Sequence, residues 1–142
     1  MNNCFIVPFD GSAYALKALE YAIRLGKGID AEIVLVNVQP NYGFAPNVKK
    51  FFSAEEIKEY QQQTGRDVLA PALERLRDAS IKYSTSIRSG IPAVEICNEA
   101  KERGASGIFM GSRGLGPIRG AILGSVSYGV LHNAPCPVTI VS

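Results

Sequence analysis

Gly107-Ile108-Phe109-Met110 runs without interruption into Gly111-Ser112-Arg113-Gly114-Leu115-Gly116-Pro117-Ile118-Arg119-Gly120-Ala121-Ile122-Leu123-Gly124-Ser125. A short apolar run that opens a glycine-rich loop, with the loop closing on a helix N-cap, predicts a buried strand, a backbone-lined loop and a short helix over 125–133. Five glycines in fifteen residues cost conformational entropy, so a plain connection is rarely built this way. Glycine provides close backbone approach and freely oriented N–H groups, the requirements for holding phosphate oxygens. The other reading of the same residues is a long surface turn.

Working outward, short apolar runs alternate with helical patterns along the whole chain. Cys4-Phe5-Ile6-Val7-Pro8-Phe9 reads as a strand buried on both faces, ending near Pro8, which has no ladder donor. Asp10-Gly11-Ser12 is a turn with Ser12 as N-cap, followed by a helix with Ala15, Leu16, Leu19, Ala22 and Ile23 on one face and a stop at Gly26 or Gly28. Residues 32–38 form a second strand. Residues 39–52 are irregular, broken by Pro40, Gly43 and Pro46. Ser53-Ala54-Glu55-Glu56 has capping-box spacing and opens a long helix with the stripe Ile57, Tyr60, Leu69, Leu73 and Leu76, kinked but not ended at Pro71. Tyr83, Thr85 and Ile87 alternate with polar residues, as in a half-exposed edge strand. A third helix over 93–103 carries Val94, Ile96, Cys97 and Ala100 and stops at Gly104, and Val138-Thr139-Ile140-Val141 is a terminal strand. The order β-α-β-α-β-α-β-α-β, with right-handed crossovers, predicts one α/β domain over 1–142, a three-layer α/β/α sandwich on a mostly parallel sheet.

In such sheets ligands bind beyond the carboxyl ends of the strands, at the switch point. Asp10 lies just past the end of the first strand and Gly111 at the end of the fourth. If those strands are neighbours, Asp10 faces the loop and can accept hydrogen bonds from a ribose hydroxyl or a base amine; its other reading is stabilisation of its own turn. Amides of Gly124, Ser125 and Val126, with the Ser125 hydroxyl, would meet terminal phosphates, while Gly111 and Gly114 would admit the ribose and first phosphate. There is no GxxxxGK[ST], and the first strand does not lead into GxGxxG. A mononucleotide held mainly by backbone amides is what remains. More amides line the loop than one phosphate uses, which favours ATP over AMP.

Four motifs, in order along the chain, resemble the universal stress protein family. Gly111-x2-Gly114-x9-Gly124-Ser125 is similar to that family's ATP-binding signature, and Ile6-Val7-Pro8-Phe9-Asp10-Gly11-Ser12 to its opening. Gly90-Ile91-Pro92-Ala93 and Pro135-Cys136-Pro137-Val138 match two further elements. The resemblance implies a five-stranded parallel sheet of order 3-2-1-4-5, the adenine nucleotide alpha hydrolase-like fold, with ATP between strands one and four. It places Pro8, Asp10, Val38 and Met110 at adenine or ribose, with Phe9 and Ser12 of the same opening counted among the binding residues. Gly111, Arg113, Gly114, Gly124, Ser125 and Val126 would hold ribose and phosphates. It also implies a homodimer through 138–141, which suits an apolar strand needing edge cover. The chain departs from the resemblance at Asn37, where many members have histidine, and at Ser106, where many have aspartate.

Composition narrows the function classes. The 15 basic and 13 acidic residues are spread along the chain with no basic block, so no nucleic-acid or membrane partner is expected. No apolar stretch approaches the ~20 residues that cross a bilayer. The opening residues lack a secretory pattern, and three separated cysteines suit a reducing cytoplasm. Hydrolysis needs a positioned base and usually a divalent metal. The sequence offers no HxxxH and no paired carboxylates, His132 reads as structural or solvated, and Arg113 and Arg119 either neutralise phosphate or are solvated. The expectation is an ATP-binding regulator without a catalytic residue. The alternatives are a slow Mg2+-dependent ATPase or phosphotransferase, and a nucleotide-free dimerising module.

Overall fold

The computed structural model describes residues 3–42, 46–116 and 123–142. Strand β1 (Cys4–Pro8) lies at the centre of a five-stranded sheet with β2 (Glu32–Gln39), β3 (Tyr83–Ser89), β4 (Gly107–Gly111) and β5 (Val138–Val141). The order is β3-β2-β1-β4-β5, and every pairing is parallel. The expected topology is therefore observed, with the reversal of strand order between β1 and β4.

Because side chains alternate across a strand, the sheet feeds two separate cores. Phe5, Val7, Ile33, Leu35 and Phe109 point to one face, where α1 (Ala13–Gly28) and α3 (Ala54–Ala79) cover them with Leu19, Ile23, Leu69 and Leu76. Ile6, Val34, Val36, Ile108 and Met110 point to the other, beneath α4 (Pro92–Arg103) and α5 (Ser125–Asn133). Cys4, Cys97 and Cys136 are free thiols in this second core, and burial pushes each above the ordinary thiol range. They pack as small apolar groups.

The Ser12 cap is present: its hydroxyl accepts from the Ala15 amide at 3.1 Å. So is the capping box of Ser53 and Glu56. The half-exposed β3 lies at the sheet edge as expected. Four helical expectations need correction. The irregular segment contains a short helix, α2 (Pro46–Phe51), because proline at a first helical position has a suitable φ and no N–H to waste. Leu16 is exposed, since the buried face of α1 runs Ala15, Ala18, Leu19, Ala22, Ile23 and Gly26. Tyr60 is exposed as well. The first half of α3 is anchored instead by Gln61, whose amide donates to the Pro40 carbonyl (2.6 Å) and Ser89 Oγ (3.1 Å), and by Gly65, which admits the Ile87 side chain. Val94 faces solvent while Ile96, Cys97 and Ala100 of the same helix are buried. Helix α3 runs unbroken through Pro71.

One buried ion cluster ties edge strand β3 to α4. Glu99, 4% exposed, accepts from Ser86 and Arg88 and pairs with Arg103 Nε at 2.7 Å. Burial alone would raise its pKa, but the Ser86, Arg103 and Arg88 hydrogen bonds outweigh that, and its carboxyl sits below the usual range.

Candidate functional site

The two central strands deliver different chain turns to one crevice. After Pro8, the Phe9 amide continues the ladder to the Val36 carbonyl at 2.8 Å. Asp10 then turns the chain: its Oδ1 accepts from the Ser12 amide at 2.9 Å, and Gly11 takes φ +86°. This is the Asx turn that the residue pattern allowed. Among the described residues Oδ2 has no such partner and faces Gly114, where a Cβ would lie 2.6 Å from it.

Beta-strand β4 ends on Gly111, packed so tightly against the first turn of α1 that a Cβ there would lie 2.6 Å from Tyr14 Cβ and 2.8 Å from its carbonyl carbon. Ser112 follows and is the stitch of the site. Its amide donates to the Val141 carbonyl, and its own carbonyl accepts from the Gly124 amide (2.8 Å) and the Ser127 hydroxyl (3.0 Å). The glycine loop thus leaves and returns at one point. That contact places the start of α5 directly over the strand ends.

Between these parts is a cavity of about 310 Å³. Pro8, Phe9, Asp10, Val38, Met110, Gly111, Arg113, Gly114, Gly124, Ser125 and Val126 all line it, eleven of the twelve residues singled out from sequence. Ser12 does not: it is buried, with its hydroxyl occupied as the α1 cap. Arg119 and Gly120 lie outside the described residues. His132 is outside the cavity lining, its ring against Tyr128 at the far end of α5.

The cavity is chemically two-ended. Val36, Val38, Pro92, Ile96 and Met110 make one end apolar. The other is backbone: Gly114, Leu115, Gly116 and the first turn of α5. That turn begins at Gly124 with φ −67° and ψ 164°, and no side chain caps it. The Gly124 amide is already spent on Ser112, so the donors at this end are those of Ser125 and Val126, at the positive end of the helix dipole.

Sequence reasoning gave no site role to Ser112, Ser127, Pro92 or Ile96, though it read Ile96 on a helix face and Pro92 within a family motif. Asn37 it noted only as a departure. Its side chain, 5% exposed, donates to the Phe9 carbonyl at 2.9 Å and accepts from Gln39 Nε2 at 2.6 Å, so it fixes the end of β1 on the cavity wall. Ser106, the other departure, bonds with Cys4 at the opposite end of the sheet. Among the described residues no group of three or more His, Cys, Asp or Glu could hold a metal ion, and no helix is long and apolar enough to cross a membrane.

A model of the universal stress protein family matches residues 1–142. The chain belongs to that family. It is 34% identical to universal stress protein YxiE of Bacillus subtilis, over 99% of each chain. It is also 34% identical to universal stress protein MJ0531 of Methanocaldococcus jannaschii, over 96% of this chain and 79% of that one. Among solved structures, hypothetical protein MJ0577 superposes with a TM-score of 0.84 at 27% identity, over 99% and 96% of the two chains. Two more distant members share the fold. One is a universal stress protein in complex with cAMP (TM-score 0.69, 23% identity, 99% and 96% covered). The other is from Archaeoglobus fulgidus, in complex with dAMP (TM-score 0.73, 20% identity, 100% and 98% covered).

Proposed function

We propose that this universal stress protein is a cytoplasmic ATP-binding regulator that retains its nucleotide with negligible turnover and works as a homodimer. The observation that carries the reading is the uncapped N-terminus of α5, opening into the same cavity as the ends of β1 and β4. Adenine lies at the apolar end, against Pro8, Phe9, Val38 and Met110. Asp10 accepts from the ribose. Gly111 and Gly114 admit the sugar and first phosphate, Ser125 and Val126 donate to the outer phosphates, and Gly124 sets the helix start. Arg113 neutralises phosphate charge. ATP arrives as its Mg2+ complex, and the metal offsets phosphate charge when bound. The nucleotide complexes of the two distant members support an adenine ligand. The half-exposed edge strand β5 supports pairing with a second copy.

Mass spectrometry of nucleotide released from freshly purified, denatured protein tests the ligand. ATP from the wild type and none from a folded Gly124→Val variant is the expected result. ADP alone, or steady-state phosphate release, would replace the regulator with a slow ATPase. No nucleotide, with no thermal shift on adding Mg-ATP, would leave a dimerising scaffold. Sedimentation tests the dimer, and a monomer at micromolar concentration would refute it.

A further inference from the structure

Tyr14 does not line the cavity, yet it is fixed against Gly111 and Arg113, which do. It sits in the first turn of α1, where the absent Cβ of Gly111 lets the backbone of β4 close onto it. Two residues beyond Gly111, the Arg113 guanidinium lies over the Tyr14 ring at 5.4 Å from its centroid. Lys17, one turn along α1, brings its ammonium to 5.6 Å from the same ring. Both distances are within the range in which a cation is attracted to an aromatic face.

We infer that Tyr14 is a positioning residue, a platform that holds Arg113 and Lys17 as a cationic rim beside the cavity and makes the site discriminate by phosphate number. This rests on the nucleotide reading above and deepens it. The physical argument is one of reach and charge. A single phosphate meets the loop amides in AMP and ATP alike, whereas ATP brings two further phosphates, with more anionic oxygens, into the cavity that Arg113 lines. An arginine loose on a surface loop loses side-chain entropy when it binds. One already stacked on a fixed ring has lost part of that freedom beforehand, so more of its attraction appears as affinity. The rim therefore adds more to ATP binding than to AMP binding.

The test is the ratio of ATP to AMP affinity, measured by calorimetry on the intact protein with Mg2+ present, for wild type, Tyr14→Phe, Tyr14→Leu and Arg113→Gln. The wild type should favour ATP, and Tyr14→Phe should keep its ratio because the ring remains. Tyr14→Leu should weaken ATP about two- to fivefold and AMP by less, so that the ratio falls. The double variant Tyr14→Leu/Arg113→Gln should be scarcely weaker than Arg113→Gln alone, since Tyr14 acts through Arg113. A Tyr14→Leu ratio equal to wild type, or equal losses for both nucleotides, overturns the inference and leaves the nucleotide site intact. A wild type that binds ATP and AMP alike does the same. A wild type that binds neither refutes the nucleotide reading itself. If Tyr14→Leu does not fold, Lys17→Met, at an exposed position, decides in its place: an unchanged ratio and salt dependence overturns the inference.

Discussion

Two glycines of the same motif face an identical obstruction, and they should respond to alanine in opposite ways. At both Gly111 and Gly114 an added Cβ would lie 2.6 Å from its nearest neighbour. At Gly111 the neighbours are Tyr14 Cβ and the Tyr14 backbone, part of a helix whose inner face buries Ala15, Ala18, Leu19, Ala22 and Ile23. Relief requires α1 to lift from the sheet, an overpacking cost of about 1–3 kcal/mol. For a chain of this length each kcal/mol lowers the melting temperature by roughly 3–4 °C, so Gly111→Ala should lose about 3–12 °C. At Gly114 the neighbour is Oδ2 of exposed Asp10, which can rotate away. The cost is one Asx-turn hydrogen bond, about 0.5–1.5 kcal/mol, offset by the ~0.4–1 kcal/mol that alanine gains through the unfolded chain. Gly114→Ala should therefore melt within about 4 °C of wild type. Its ATP affinity should fall about tenfold, because a charge-assisted hydrogen bond from the ribose is lost. Gly28→Ala, outside the cavity and with nothing within 4 Å among the described residues, is the control for both. Circular dichroism melts and calorimetric titrations would decide. Gly111→Ala melting with the wild type, or Gly114→Ala losing as much stability as Gly111→Ala, would refute the reasoning.

Three other outcomes follow from the packing. Glu99→Gln should cost about 1.5–3 kcal/mol at pH 7 in urea unfolding, because the charge-assisted bonds from Arg88 and Arg103 are lost. Since the folded Glu99 carboxyl lies below its unfolded value, its contribution is present above about pH 4.3 and fades as pH falls through the folded value, so the variant's deficit should shrink toward pH 3. Ser53→Ala removes half of the capping box on α3 and should lower stability by about 1 kcal/mol without touching nucleotide binding. Asn37→Ala strands the Phe9 carbonyl and the Gln39 amide, both in buried residues, and should cost about 1–3 kcal/mol in unfolding while also weakening ATP.

The strands were legible because a doubly covered parallel sheet needs continuous apolar runs, and Phe5–Val7, Ile33–Val36 and Ile108–Met110 are such runs, while the strand order came from the family resemblance. The Asp10 and glycine part of the cavity wall was legible for a related reason: glycine spacing and the Asp-Gly-Ser turn report backbone geometry, which sequence encodes locally, whereas Pro8, Val38, Met110 and Arg113 were placed by the family resemblance. Helix faces were harder. Tyr60 and Val94 have the right spacing and the wrong environment, while Gln61 and Gly65 are buried because of a carbonyl at Pro40 and a side chain at Ile87. Those partners are distant in sequence, so periodicity alone does not contain them. Ser112 and Asn37 belong with these: each works by bonding across the sheet ends to a residue that only the fold brings near.

Helix starts in this chain divide by what they face. Ser12 and Ser53 cap α1 and α3 with their own hydroxyls, and neither residue lines the cavity. The α4 start, which does line it, uses Pro92, a residue with no amide to cap. Among the described helix starts that line the cavity, that of α5 is the one on glycine, with the Ser125 and Val126 amides open. A bound phosphate in place of the missing cap predicts that supplying a cap and binding a nucleotide compete. Gly124 already has the extended backbone of an N-cap residue, so Gly124→Asp fits the local geometry. Its carboxylate should satisfy the α5 amides, raising the stability of the nucleotide-free protein by a few tenths of a kcal/mol. The same carboxylate should abolish ATP binding by occupying the amides and repelling phosphate. Added ATP should then stabilise the wild type with a shift that grows with concentration, and leave the variant unmoved. A variant that is no more stable without nucleotide, and that still binds ATP as the wild type does, would mean that phosphate does not stand where the cap is missing.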